Sequence, residues 1–291
     1  MKPYPYPTGN KVSGRKSKLG RKKIRPAPQD LNMPPGGADS HVHLDFPAYN
    51  EEIPQVLDRA KESGISTFGQ VFLGPSAYLK GRDLFKPFPE VFFILGVHPH
   101  EASGFTSETR RDMAAAVKRD QRIRAIGETG LDFFYRHSSE EKQKSAFKAQ
   151  LELARETELP VVIHSREAEA ETLKILKESG FKDRRVLWHC FGKGIDLARE
   201  ILDQGWHISI PGSVTYPKNA RLREALAEIP PDKLLLETDC PFIAPEPYRG
   251  KQNEPALMVF TALAAAEVMG LDAGELWRQC GDNCRTFFGV N

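Results

Sequence analysis

From residue 38 onward, two hydrophobic rhythms alternate along the chain. Short runs of β-branched and aliphatic residues predict strands over Ala38–His43, Thr67–Phe72, Val91–Val97, Ile123–Gly127, Pro160–His164, Arg185–His189, His207–Ile210 and Leu234–Glu237. Between them apolar residues recur at three- and four-residue intervals. That spacing predicts helices over Ile53–Ser63, Glu108–Asp120, Glu140–Thr157, Glu167–Ser179, Ile195–Gln204 and Ala220–Glu228. Two more follow the last strand, over Pro255–Met269 and Ala273–Phe287. Parallel neighbours need a crossover where antiparallel ones need only a turn, so this alternation implies βα units on a parallel sheet. Eight such units in 291 residues suit an α/β fold closed as a (β/α)8 TIM barrel, a single domain over residues 37–291.

The polar residues that break the pattern support closure. His41, His43, His98, Glu128, His164, His189 and Asp239 all fall at the C-terminal ends of predicted strands, or just after. In a barrel those ends share one mouth. In an open doubly wound sheet distant strand ends do not converge, and no Gly-rich nucleotide fingerprint follows the first strand.

Side chains two apart on a strand share a face, so His41 and His43 aim at one spot. A single His after a strand is ordinarily a hydrogen-bonded loop residue. Four of them, with carboxylates at Glu128 and Asp239 that would be costly to bury alone, read as metal ligands. Six ligands exceed the three protein ligands of a one-ion catalytic site, and two ions sharing a carboxylate use six economically. Glu128, midway around the barrel, is the natural bridge. Mixed imidazole and carboxylate donors suit two divalent ions, with Zn²⁺, Mn²⁺ and Mg²⁺ the expected candidates.

Charge changes the picture at one end only. The net charge of +2 conceals nine Lys and Arg before residue 31 against the single Asp30. Residues 1–36, rich in Pro, Gly and Lys and without apolar periodicity, are expected to form a disordered basic tail. Such an arm could hold phosphate backbones, but a solvated extension is the plainer reading, and Met33 would serve as an alternative start. Cys190, Cys240, Cys280 and Cys284 lack framework spacing, and no leader or membrane-length apolar run is seen. Free thiols in the cytoplasm are therefore expected.

Taken in order, several segments resemble one family. They are Asp39-Ser-His-Val-His-Leu-Asp45, Gly96-Val-His-Pro99, Ile126-Gly-Glu-Thr-Gly-Leu-Asp132, Pro160-Val-Val-Ile-His-Ser-Arg166 and His189-Cys-Phe. Leu236-Glu-Thr-Asp-Cys-Pro-Phe242 and Pro247-Tyr-Arg-Gly-Lys251 complete the set. The pattern, over about residues 37–290, is similar to the TatD metal-dependent hydrolases and deoxyribonucleases, within the amidohydrolase-like barrels. The resemblance implies that His41, His43 and Asp239 hold one ion, that His164 and His189 hold the other, and that Glu128 bridges. It also implies that Asp239 takes a proton from attacking water, with His98 near the phosphate or leaving group. Arg166, Lys193, Arg249 and Lys251 would ring the mouth with positive charge, and Phe46, Phe133, Phe191 and Tyr248 could stack bases. Tyr248 stands where the family commonly has His, and Cys240 where Ser is frequent. The expected activity is that of a monomeric deoxyribonuclease acting on a single-stranded DNA end. The alternatives are an ester or amide hydrolase, such as an aminoacyl-tRNA deacylase, and a nucleic-acid-binding protein acting through its tail.

Overall fold

A computed structural model describes residues 25–291, so the expected disorder of residues 1–24 lies outside the described residues. The chain forms β1 (Gly37–Val42), α1 (Ile53–Glu62), β2 (Ile65–Leu73), α2 (Pro75–Gly81), β3 (Val91–Gly96), α3 (Ser107–Arg119), β4 (Ile123–Asp132) and α4 (Glu140–Thr157). It continues through β5 (Val161–Arg166), α5 (Glu169–Glu178), β6 (Val186–Trp188), α6 (Ile195–Leu202), β7 (His207–Ile210), α7 (Ala220–Leu226) and β8 (Leu234–Leu236). Helices α8 (Met258–Met269) and α9 (Ala273–Phe288) end it. The strands pair in parallel in the order β1 to β8. A bridge between Val42 and Cys240 closes the ring, flanked by backbone bonds from Asp239 N to His41 O and from His43 N to Cys240 O, each 3.0 Å. This is the expected (β/α)8 barrel. Its closing seam sets the end of β1 beside the segment after β8.

Both faces of the strands are buried, and period-two alternation sorts them into two layers. On β3, Val91, Phe93 and Leu95 pack outward among the helices, while Phe92 and Ile94 join an inner cluster with Val71, Ala125, Val162, Leu187 and Leu235. Helix α9 adds Cys284, Phe287 and Phe288 to that inner cluster. Arg185, just before β6, donates to the Phe287 carbonyl at 2.9 Å, and the Phe288 ring lies 4.5 Å from that of Phe92. The N-terminal end of the barrel is thus plugged, and the strands' C-terminal ends form the open mouth.

Three features depart from expectation. Helix α2 was not foreseen, because a seven-residue helix with Pro75 at its start and Gly81 at its end is too short to show a period. Strand β4 runs to Asp132, past the expected end at Gly127, across a register shift between Ile126 and Thr129. The apolar run stops at Gly127, but pairing with β5 continues. Residues 25–36, expected to be disordered, instead form a strap along the barrel. Pro28–Leu31 is a 3-10 helix, Leu31 and Met33 pack on the core, and Trp277 donates to the Pro34 carbonyl at 2.9 Å. No single helix among the described residues is long and apolar enough to cross a membrane.

Candidate metal centre

The seam brings His41 and His43 against Asp239, as the positions of their strand ends require. The two Nε2 atoms are 3.2 Å apart, and Asp239 Oδ1 lies 3.7 Å from His41 Nε2 and 3.4 Å from His43 Nε2. Asp239 adopts φ 53°, a left-handed conformation uncommon outside glycine, at the point where its carboxylate meets the two imidazoles. Across the mouth, Glu128 presents its two oxygens to different partners. Oε2 faces His41 Nε2 at 3.5 Å and His43 Nε2 at 3.9 Å. Oε1 faces His164 Nδ1 at 2.8 Å, His189 Nε2 at 2.9 Å and His98 Nε2 at 3.5 Å. The His41 and His189 rings stack at 4.0 Å, joining the two sides.

Three donor sets each have their ligating atoms within 4.8 Å of one another: His41, His43 and Asp239; His41, Glu128 and His189; and His98, Glu128 and His164. The expected six thus come together, and His98 joins them as a further possible donor. The chemistry of this set fits divalent cations of intermediate softness. Glu128 is 4% exposed, yet among the described residues no Lys or Arg lies within ion-pair distance of Glu128 or Asp239. One buried and one partly buried carboxylate, compensated by imidazoles alone, invite a cation.

The electrostatics agree. Burial alone would raise the Glu128 carboxyl. The His189 charge, with hydrogen bonds from His164 and His189, outweighs it and holds Glu128 well below the usual carboxylate range. Burial disfavours the charged form of His189, but Glu128 and Glu237 push its pKa well above the ordinary value. His98, for which burial dominates, is pushed down to about 4 and is neutral at physiological pH.

A second layer of carboxylates, unmarked by the sequence reading, stands behind the donors. Asp132 Oδ2 is 3.3 Å from His164 Nε2, the nitrogen turned away from Glu128, and 2.9 Å from His100 Nε2. Glu237 is fully buried with Oε1 3.6 Å from His189 Nδ1, and it accepts a 2.6 Å bond from the Ser209 hydroxyl. Asp39 accepts from the Thr238 backbone at 3.0 Å and hydroxyl at 2.6 Å, tying β1 to the segment beyond β8. Burial pushes the Asp39 carboxyl up to about 8. Carboxylates behind metal-binding imidazoles fix their tautomer and ring orientation. The one sequence signal for Asp132 is its place four residues after Glu128 on the same strand, and that spacing alone does not separate an imidazole's partner from a solvated acid.

A cavity of about 460 Å³ opens over this cluster. Arg166 and Lys193 line it; Tyr248, Arg249 and Lys251 do not. Arg166 has no acidic partner among the described residues, whereas the Lys193 ammonium is 2.8 Å from Glu169 and 3.2 Å from Glu167. Arg249 lies over the Tyr216 ring at 4.1 Å. The Tyr248 hydroxyl donates to the Pro26 carbonyl at 3.0 Å, so the residue that departs from the family pattern anchors the strap. Among the expected base-stacking rings, Phe46 lines the cavity, Phe133 packs partly buried on the core and Phe191 is buried. All four cysteines are free, and burial pushes the Cys190 and Cys240 thiols up, away from reactivity.

Comparison with known proteins follows the same lines. A profile of the family described as TatD related DNase matches residues 38–289. An uncharacterized metal-dependent hydrolase, YabD of Bacillus subtilis, is 32% identical over 87% of this chain and 99% of its own length. The 3'-5' ssDNA/RNA exonuclease TatD of Erwinia tasmaniensis is 35% identical over 87% of this chain and 99% of its own. The crystal structure of YJJV, a TatD homologue from Escherichia coli, superposes with a TM-score of 0.81 at 26% identity, covering 88% of this chain and 98% of that one. The chain belongs to the TatD family of metal-dependent hydrolases.

Proposed function

We propose that this chain hydrolyses phosphodiester bonds of nucleic acid, DNA foremost, from a single-stranded end, using two divalent ions. The observation that carries the reading is the division of Glu128, whose Oε2 faces His41 and His43 while Oε1 faces His164 and His189. A carboxylate with one oxygen toward each donor set is what a bridged pair needs. His41, His43 and Asp239 would hold one ion, His164 and His189 the other, with Glu128 between. The exonuclease name of the Erwinia relative and the unpaired Arg166 at the cavity favour a phosphate-bearing strand. The donor set is complete within one chain, so the reading needs no second copy, and four free thiols suit the reducing cytoplasm.

When bound, the ions supply positive charge for phosphoryl oxygens and lower the pKa of water. The chain's own groups do the rest. The Asp239 side chain is 15% exposed and reaches the cavity, so it can take the proton of the attacking water. His98, held neutral by burial, can donate its one N–H to a phosphate oxygen or the leaving 3′ oxygen. The Arg166 fork can pair with phosphate and fix the strand's position.

Turnover of a 3′-labelled single-stranded oligonucleotide, measured beside an aminoacyl ester, tests the reading. Asp239→Asn should lower nuclease kcat by about 10²–10⁴-fold with an unchanged circular dichroism spectrum. Turnover of the ester but not the oligonucleotide would reverse the substrate assignment.

A further inference from the structure

The loop after β4 carries an aromatic residue whose exposure the fold does not require. Phe134 is 55% exposed, the one aromatic ring among the large hydrophobic side chains that the described residues leave open to solvent. A lone exposed ring is unremarkable by itself. Its surroundings make this one specific. Asp132 Oδ1 accepts from the backbone of Phe134 at 3.0 Å and of Tyr135 at 2.8 Å, so the carboxylate that steadies His164 also fixes the loop. The Arg166 guanidinium carbon lies 4.2 Å from the Phe134 ring centre and 4.7 Å from that of Tyr135. Tyr135 is backed in turn by His137, stacked at 5.7 Å, and by His100, edge-on at 5.4 Å. Glu167, next in sequence to Arg166, is engaged by Lys193, which leaves the guanidinium without a carboxylate.

The result is a cation held against a solvent-facing ring at the edge of the catalytic cavity. Aromatic faces bind any nucleobase with little sequence preference, and the Arg fork binds phosphate oxygens. We infer that Phe134 and Arg166 form a nucleotide subsite beside the scissile phosphate: a base stacks on Phe134 while the guanidinium pairs with the adjoining phosphate. The inference rests on the nucleic-acid reading and adds to it where the strand lies and why any base would be accepted.

The test compares a single-stranded oligonucleotide with the same strand made abasic over its terminal nucleotides, by anisotropy binding of the metal-loaded protein to versions whose terminal linkages resist hydrolysis and by steady-state KM for the cleavable versions. Wild type should prefer the intact strand by about five- to a hundred-fold, the range expected for one stacked base. Phe134→Ala should erase that preference and Phe134→Trp restore it. Arg166→Gln should weaken both strands alike and reduce the slope of log affinity against log salt by about 0.7, one phosphate contact on a single strand. A preference undiminished in Phe134→Ala overturns the subsite while leaving the nuclease reading intact. Failure of wild type to bind or cleave either strand overturns the nucleic-acid reading itself, and the subsite with it.

Discussion

At the scale of single residues, the site separates into side chains that local pattern exposes and side chains that only packing exposes. His164, His189 and Asp239 each follow an apolar run, against which polar residues stand out, and His41 and His43 stand out as a pair two apart at a strand end. Asp132 and Glu237 do not, because an acidic residue in a loop or strand end looks the same whether it faces water or an imidazole. Their effect should nonetheless be measurable. Asp132→Asn keeps the shape but removes the charge opposite His164 Nε2, and should lower metal affinity about 10–100-fold with little change in secondary structure. Competition with a fluorescent chelator reads this directly; unchanged affinity would leave Asp132 as a loop tie alone. Tyr248 shows the opposite error. Its place in a family segment suggested a substrate contact, but its hydroxyl is engaged by Pro26, far away in sequence, which no local pattern can reveal.

At the scale of elements, the eight strands were readable because parallel strands buried on both faces are near-continuous apolar runs. Strand β4 was read short for a physical reason: Gly-Glu-Thr-Gly interrupts the run where the strand must admit a polar side chain and approach β5 closely. Gly130 has φ 140°, and a Cβ there would lie 2.0 Å from the His164 carbonyl oxygen. Gly130→Ala should therefore cost about 1–3 kcal/mol in unfolding free energy. It should also displace Glu128 and His164 relative to each other, so metal affinity should fall together with the melting temperature. A variant of wild-type stability and affinity would show that β4 and β5 can separate without consequence.

At the scale of the whole molecule, closure does two things: it gathers the donors at one end and plugs the other. The plug contains His207, at the start of β7, with its ring 5.1 Å from Phe287. Burial, with the nearby Lys233 charge, lowers its pKa from 6.5 to about 4, so the folded barrel holds it neutral while the unfolded chain binds a proton more readily. Its contribution is present above about pH 6.5 and is lost as pH falls toward about 4. His207→Gln should flatten the decline of melting temperature across that window relative to wild type; parallel curves would remove His207 from the account. The barrel class followed from alternation alone, whereas the strap of residues 25–36 did not, since its few apolar contacts carry no period.

The two-faced placement of Glu128 is the centre of the account, and metal stoichiometry tests it most directly. Protein purified without chelator, reconstituted with one divalent metal at a time and freed of excess, should retain about two ions per chain by elemental analysis, with nuclease activity rising as the second site fills. Glu128→Ala, folded by circular dichroism, should retain markedly less metal and lose activity. One ion per chain in both proteins, with activity unaffected by the substitution, would contradict the bridged pair.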